Sequence, residues 1–116
     1  MNKILVLIPY YNNIEGLLKS LKSIDADENL DVLIVDDGST IKLEKELIAA
    51  SFKANGKILY KISEKNEGIE SALNHGLKIA QSHKYQYIAR LDCGDICLGK
   101  RFQIQSQFLE KKPEIK

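Results

Sequence analysis

The sequence predicts an α/β fold in which a mostly parallel sheet is flanked by helices. Four short apolar runs, at residues 4–8, 32–35, 58–62 and 87–91, alternate with four segments whose apolar residues recur at helical spacing. A strand followed by a helix, repeated along the chain, favours right-handed crossovers and parallel strands. A polar cluster follows each run, so all four clusters should meet at one edge of the sheet, where ligands bind in open α/β folds.

The first half of the chain contains two of these strand–helix units. Residues 4–8 are continuously apolar, which is typical of a parallel strand buried on both faces. Asn12 or Asn13 is a suitable cap for the helix that follows. The apolar positions of that helix are Ile14, Leu17, Leu18, Leu21 and Ile24. Residues 32–35 form the second strand, and the helix after it should end near Asn55-Gly56. Its apolar positions are Leu43, Leu47, Ile48 and Phe52.

The second half repeats the pattern with a shorter third strand at residues 58–62 and a fourth at residues 87–91. Small and apolar residues mark the helix between them: Ile69, Ala72, Leu73, Gly76, Leu77 and Ala80. A last helix, ending before Pro113, is indicated by Phe102, Gln105, Phe108 and Leu109. This fourth strand–helix unit is the last that the pattern indicates.

Length and charge limit the classes of function. A chain of 116 residues fits one domain. Its 17 basic and 16 acidic residues give a net charge of +1, which offers no argument for binding nucleic acid. No apolar run approaches the roughly 18 residues of a membrane-spanning helix, and no signal peptide is evident. We therefore expect a cytoplasmic protein. Cys93 and Cys97 are a weak zinc signal, and we interpret them as small packing residues.

The second strand ends in Asp36-Asp37-Gly38-Ser39-Thr40, the most informative stretch of the chain. Acidic side chains at a strand's carboxyl end are well placed for ribose hydroxyls, base N–H groups or a metal. One of them could instead cap the next helix, as Asp readily does. A cap accounts for one carboxylate and not for the pair, so the pattern favours binding.

Three other polar clusters should share this edge. Tyr10 and Tyr11 could stack on a nucleobase or simply cover a helix end. The segment Asn66-Glu67-Gly68 could present backbone N–H groups to an anion, although the residues on their own favour a cap and a turn. Asp92 and Asp95, three residues apart on a tight turn, could share a hard divalent cation with phosphates and waters.

These blocks, taken in order, resemble the nucleotide-sugar-binding half of family 2 inverting glycosyltransferases, which have the GT-A fold. The resemblance runs nearly from end to end of the chain. It rests on four stretches: Leu7-Ile8-Pro9-Tyr10-Tyr11-Asn12, Val35-Asp36-Asp37-Gly38-Ser39-Thr40, Asn66-Glu67-Gly68 with the helix after it, and Tyr87-Ile88-Ala89-Arg90-Leu91-Asp92.

The resemblance implies a Rossmann-like GT-A nucleotide-diphospho-sugar transferase fold, truncated after the fourth strand–helix unit. Residues 1–116 would be its nucleotide-sugar-binding part, with the acceptor half absent. It also implies roles for individual residues. Tyr11 would pack on the base, Asp37 would bind the base edge with Asp36 close by, and Pro9, Asn66 and Gly68 would border the nucleotide. Asp92, with Asp95, would hold Mn²⁺ or Mg²⁺ for the diphosphate. The family usually has an acid where this chain has Gly94.

The implied activity is inverting transfer from a nucleoside diphosphate sugar, UDP- or dTDP-linked, to an acceptor hydroxyl. The acceptor would be a glycan or lipid-linked saccharide of polysaccharide biosynthesis, handled in the cytoplasm or at the inner face of the membrane. No residue of this chain is a convincing catalytic base, so we expect the chain alone to be inactive. Two alternatives are a nucleotidyltransferase, which should have a glycine-rich basic loop after the first strand, and a non-catalytic nucleotide-binding or interaction module.

Overall fold

The computed structural model of the protein describes residues 2–102, 104 and 105. Strands and helices alternate through this part of the chain. Their bounds are β1 Ile4–Tyr10, α1 Ile14–Ser23, β2 Asp31–Asp37, α2 Lys45–Ser51, β3 Ile58–Ser63, α3 Ile69–Ser82 and β4 Tyr87–Arg90.

The four strands form one sheet in the order β3-β2-β1-β4, and every neighbouring pair is parallel. This confirms the predicted α/β fold with a parallel sheet. Tyr10 lies beside Asp36, and Asp37 lies beside Ser63, so β1, β2 and β3 end at the same level. The loops that follow the four strands therefore share one edge, as the order of the polar clusters predicted.

The sheet is buried on both faces because its central strands are apolar at nearly every position. Alternate side chains of β1 and β2 pack with α1 and α2 on one face. The intervening ones pack with α3 on the other face. Gly76 allows α3 to lie close to the sheet, since a Cβ there would be 2.3 Å from Leu7 Cδ1. The first turn of α3 is thereby held beside the carboxyl ends of β1 and β2.

The start of α1 agrees with the sequence prediction, whereas the end of α2 does not. Helix α1 begins at Ile14 and is capped by Asn13, whose Oδ1 accepts a 3.0 Å hydrogen bond from the Gly16 N–H. Helix α2 ends at Ser51, earlier than predicted. After Ser51 the chain pairs with the segment before β2. The Asn55 N–H donates to the Glu28 carbonyl, and the Asn55 carbonyl accepts from the Leu30 N–H. Tertiary pairing ends the helix before its apolar pattern does.

The predicted fourth helix lies only partly within the described residues. Residues 101, 102, 104 and 105 are helical, whereas Phe108, Leu109 and Pro113 fall outside the described part. Phe102 is buried, and its N–H donates to Glu28 Oε2 at 3.0 Å. Within residues 2–102, 104 and 105, no helix has the length and apolar character needed to cross a bilayer.

A buried carboxylate joins the elements at the opposite, amino edge of the sheet. Asp31, at the start of β2, accepts hydrogen bonds from Asn2 Nδ2 and the Lys57 N–H, each at 3.0 Å, and from the Tyr85 hydroxyl. Burial is the main cause of the raised pKa of Tyr85, and the hydrogen bond to Asp31 and the charge of Asp31 raise it further. This network stabilises the amino edge of the sheet, away from the edge at which the four strand-end loops lie.

Candidate functional site

A pocket of about 240 Å³ lies at the carboxyl edge, between the ends of β1 and β2 and the first turn of α3. It is lined by Pro9, Tyr10, Tyr11, Asp37, Asn66, Gly68, Ile69 and Ala72. Five of these were predicted as nucleotide-binding residues from the sequence: Pro9, Tyr11, Asp37, Asn66 and Gly68. The pocket is smaller than the roughly 300–1,000 Å³ typical of sites that enclose a whole ligand. It can therefore hold one part of a larger molecule.

Asp37 is the buried carboxylate of the pocket. Its Oδ1 accepts from the Glu67 N–H at 2.8 Å, and its Oδ2 accepts from the Gly68 N–H at 2.9 Å. Asp37 thus holds the β3–α3 loop against the end of β2. Each carboxylate oxygen has about two acceptor positions, so Asp37 can accept a further hydrogen bond from a ligand while it holds the loop.

Gly38 makes this close approach of the two loops possible. Its φ of +74° is in the left-handed region, and a Cβ at this position would lie 2.4 Å from the Lys65 carbonyl carbon. Any larger residue would be strained by its backbone and would push the β3–α3 loop away. The Asp-Gly sequence therefore has two linked roles: Asp37 binds the loop and Gly38 leaves space for it.

The two tyrosines after β1 differ in environment. Tyr10 is buried in the core on the α1 face, and its pKa is raised, mainly by that burial and secondarily by the charge of Asp36. Tyr11 is 47% exposed and lies at the pocket, the position expected of a residue that stacks on a base. Both tyrosines line the pocket, but the Tyr11 side chain is far more exposed than that of Tyr10.

Asp36 is separated from Asp37 by the alternation of side chains along β2. It is 3% exposed and does not line the pocket. Its Oδ1 accepts from the Ser39 N–H at 3.0 Å, which stabilises the turn after the strand. A direct part for Asp36 in nucleotide binding stays a prediction, and the geometry gives it a role in shaping the turn.

The acidic turn after β4 brings the backbones of Asp92 and Asp95 together. The Asp95 N–H donates to the Asp92 carbonyl at 3.0 Å. The Asp92 carboxylate is paired with Arg90, with Nε 2.7 Å from Oδ1 and Nη2 3.3 Å from Oδ2. Among residues 2–102, 104 and 105, no group of three or more His, Cys, Asp or Glu side chains could hold a metal ion.

These two carboxylates suit a divalent cation only together with another anionic ligand. The side chains of Arg90 and Asp92 are 48% and 47% exposed. Such an exposed ion pair contributes at most about 1 kcal/mol, so a cation could replace Arg90. Phosphate oxygens and waters would then have to complete the shell of six or more oxygens. The donor set fits a cation that arrives with a diphosphate.

Two serines of α1 form hydrogen bonds with the backbone of the acidic turn. The buried Ser20 hydroxyl donates to the Asp95 carbonyl at 2.7 Å and accepts from the Gly94 N–H at 2.9 Å. Ser23 Oγ accepts from the Cys97 N–H at 2.9 Å. The two serines thus fix the turn's backbone to α1, and the carboxylates of the turn remain on the surface.

The two cysteines pack against the same region. Cys97 belongs to the buried core, and Cys93 Sγ lies 3.4 Å from the Pro9 carbonyl. Burial, reinforced by the nearby charges of Asp92 and Asp95, raises the pKa of Cys93 to about 11. Cys93 is therefore a protonated thiol at neutral pH and is not suited to act as a nucleophile.

Several residues that shape the site were not predicted from the sequence. Ile69 and Ala72 line the pocket from α3, but their helical spacing marked them as core residues. Ser20 is a serine on the buried face of an amphipathic helix, a position that suggests a backbone partner. Asn12 was predicted as a possible helix cap and as part of the first polar cluster, but the structure bonds it to the turn after β2, a contact that was not predicted.

The sequence model of the protein family named Glycosyl transferase family 2 matches residues 5–115 of the chain. Curated relatives include an uncharacterized glycosyltransferase of Rickettsia conorii, 38% identical over 111 residues, which cover 94% of this chain and 17% of that protein. The amylovoran biosynthesis glycosyltransferase AmsE of Erwinia amylovora is 33% identical over 117 residues, covering 95% of this chain and 41% of AmsE. The chain thus spans less than half the length of these relatives.

Solved structures share the fold. S. aureus TarS 1–349 in complex with UDP superposes with a TM-score of 0.74 at 23% identity, over 94% of this chain and 32% of that one. A second structure of S. aureus TarS gives a TM-score of 0.75 at 21% identity, over 94% of this chain and 20% of that one. The likeness supports the GT-A-like arrangement that the resemblance implied.

Proposed function

This chain belongs to glycosyl transferase family 2, and we propose that it binds the nucleotide of a UDP- or dTDP-linked sugar in the pocket between Tyr11 and Asp37. The observation that carries the proposal is the meeting of three features at one sheet edge. They are an exposed aromatic ring, a buried carboxylate with free acceptor positions, and the backbone turn at Asn66 to Gly68. Together they suit a flat heterocycle with a hydrogen-bond donor on its edge.

In this proposal the base lies against Tyr11, with its edge toward Asp37. Stacking of a base on an aromatic ring contributes about 1–3 kcal/mol. Uracil and thymine carry a ring N–H that can donate to the Asp37 carboxylate. Cytosine has a bare ring nitrogen at that position, which would meet the carboxylate as a second acceptor. The Asp37 carboxylate therefore favours UDP and dTDP over CDP.

The sugar diphosphate would extend from this pocket toward the acidic turn. Asp92 and Asp95 would hold Mn²⁺ or Mg²⁺ there, with diphosphate oxygens completing the coordination shell. Such a cation, when bound, supplies neutralisation of the charge that develops on a departing diphosphate. The chain's own contribution is to orient the donor: Tyr11 and Asp37 bind the base, and the turn fixed by Ser20 places the two carboxylates.

We further propose that the whole protein transfers the sugar, with inversion, to a hydroxyl of a glycan or lipid-linked saccharide in polysaccharide biosynthesis. The transfer would take place in the cytoplasm or at the inner face of the membrane. A general base must deprotonate the acceptor hydroxyl. We expect that base to come from outside this chain, because the pocket residues of the chain serve the nucleotide.

Calorimetry with UDP, dTDP and CDP tests the base-recognition step. We expect UDP and dTDP to bind at least about tenfold more tightly than CDP, the equivalent of about 1.4 kcal/mol. Tyr11→Ala should weaken UDP binding by about 5- to 160-fold, corresponding to the loss of one stacking contact of about 1–3 kcal/mol. Leu47→Ala is the matched control, because Leu47 is also 47% exposed but lies on α2, away from the pocket. Equal binding of the three nucleotides, or an equal effect of both variants, would contradict the proposal.

A further inference from the structure

Asn12 joins the loop after β1 to the turn after β2. Its N–H donates to Ser39 Oγ at 2.8 Å. Its side-chain Oδ1 accepts from the Thr40 N–H at 3.0 Å and from Thr40 Oγ1 at 3.3 Å. These three contacts, which we call the Asn12 clasp, connect residues 27 and 28 positions apart in the chain.

The backbone of Asn12 is adapted to this position. Its φ is +47°, in the left-handed region, where asparagine is among the most frequent residues other than glycine. A residue with a larger or branched side chain would strain the backbone here. Alanine would lack the acceptor as well. Asparagine supplies both the conformation and the oxygen that Thr40 needs.

Tyr11 lies between two anchored neighbours. On one side, Tyr10 is the last residue of β1 and pairs with Asp36 in β2. On the other side, Asn12 is held by its clasp to Ser39 and Thr40. The backbone of Tyr11 is therefore fixed at both ends, although its ring is 47% exposed.

We infer that Asn12 is a positioning residue for the nucleobase: its clasp fixes Tyr11 at the pocket before the base arrives. The inference rests on the proposed function for the identity of the ligand. A ring already held in its binding position loses less conformational freedom when the base stacks on it, and this increases affinity. Asn12 and Thr40 are exposed to solvent, so the clasp contributes little to the stability of the whole fold. Its effect is local, on the pocket.

Three variants of the 116-residue chain separate this role from a general structural one. Asn12→Gly keeps the left-handed backbone but removes the acceptor. Asn12→Asp keeps the acceptor and is the conservative rescue. Tyr11→Ala removes the ring, and combining it with Asn12→Gly completes a double-mutant cycle. Calorimetry measures UDP binding, and NMR relaxation measures the order parameter of the Tyr11 amide without nucleotide.

We expect Asn12→Gly to lower the Tyr11 order parameter from about 0.85 to below about 0.6. It should weaken UDP binding by about five- to tenfold, and Asn12→Asp should restore most of that loss. In the Tyr11→Ala background, Asn12→Gly should have no further effect, because the two residues act as one unit. Additive effects, or an unchanged order parameter, would overturn the inference.

The relaxation measurement also separates this inference from the proposed function. If the wild-type chain binds no UDP, the proposed function fails. The order parameter of the Tyr11 amide then tests by itself whether the clasp fixes Tyr11. A lower value in Asn12→Gly that recovers in Asn12→Asp supports this role of the clasp. Equal values in the wild type and both variants overturn it.

Discussion

Replacing Asp37 with alanine should abolish nucleotide binding and leave the fold intact. The carboxylate accepts two backbone N–H bonds, at 2.8 Å and 2.9 Å, from the loop after β3. A hydrogen bond to a charged group contributes about 1.5–3 kcal/mol, but these N–H groups can reach water once the carboxylate is removed. We therefore expect a stability loss of about 1–3 kcal/mol, which a domain of ordinary stability tolerates.

The effect on binding should be larger than the effect on folding. The variant removes the acceptor for the base edge and also releases the loop that forms one wall of the pocket. We expect the affinity for UDP to fall by more than about 100-fold, or about 2.7 kcal/mol. Calorimetry against UDP and dTDP measures the affinities, and circular dichroism with urea unfolding measures the fold and its stability. Glu46→Ala, an exposed carboxylate on α2, is the control. Equal affinities of Asp37→Ala and wild type would remove Asp37 from the site.

Three further predictions concern the rest of the molecule. If Asp92 and Asp95 hold a cation, Mn²⁺ should strengthen binding of UDP, and changing either residue to Asn should reduce that gain; an effect of Asp92→Asn alone would make Asp95 a turn residue only. Tyr85→Phe should lower the free energy of unfolding by about 1–3 kcal/mol in urea titrations, because Oδ2 of the buried Asp31 loses its partner; an unchanged midpoint would contradict this. Stability should fall as pH rises from about 9 to about 11, because the folded chain keeps the Cys93 proton that the unfolded chain, with the ordinary pKa of 9.0, releases. The raised pKa of Tyr85 acts in the same direction, so a pH-independent unfolding midpoint between about pH 8 and about pH 11 would be the contrary result.

Most of the fold could be predicted because its central strands, β1 and β2, are apolar and buried on both faces. In a chain with alternating helical segments, a continuous apolar run such as residues 4–8 is typical of a central parallel strand. The ends of elements were less predictable. Helix α2 stops at Ser51 because Asn55 pairs with residues near the start of β2, a contact between distant parts of the chain. Local periodicity carries no information about such a contact.

The carboxyl edge as the place of the site could also be predicted, because parallel strands bring their following loops together. The different roles of Asp36 and Asp37 were implicit in the period of two along a strand, which sends neighbouring side chains to opposite faces. The pocket lies on the face of α3, so Asp37 lines it and Asp36 does not. Which face carries the pocket depends on how α3 packs, and that is a tertiary property.

The supporting contacts were not predictable from the sequence. The Asn12 clasp depends on the distance between two loops that are far apart along the chain. The place of Ser20 on the buried face of α1 suggests a backbone partner, but it does not indicate that the partner is the acidic turn after β4. Side-chain to backbone hydrogen bonds of this kind require the relative positions of elements, which spacing alone does not provide.

Binding of the nucleotide base in the pocket between Tyr11 and Asp37 can be observed residue by residue in an NMR titration of the ¹⁵N-labelled chain with UDP. We predict saturable shifts of the amides of Tyr11, Asp37 and residues 66–68. The amide shifts of residues at the opposite edge of the sheet, such as Asp31, should remain unchanged. Titration with uridine alone should reproduce these shifts, because the base contacts Tyr11 and Asp37, and Asp37 is bonded to the loop at residues 66–68. An absence of shifts at the pocket, or shifts confined to other parts of the chain, would contradict base binding at this site.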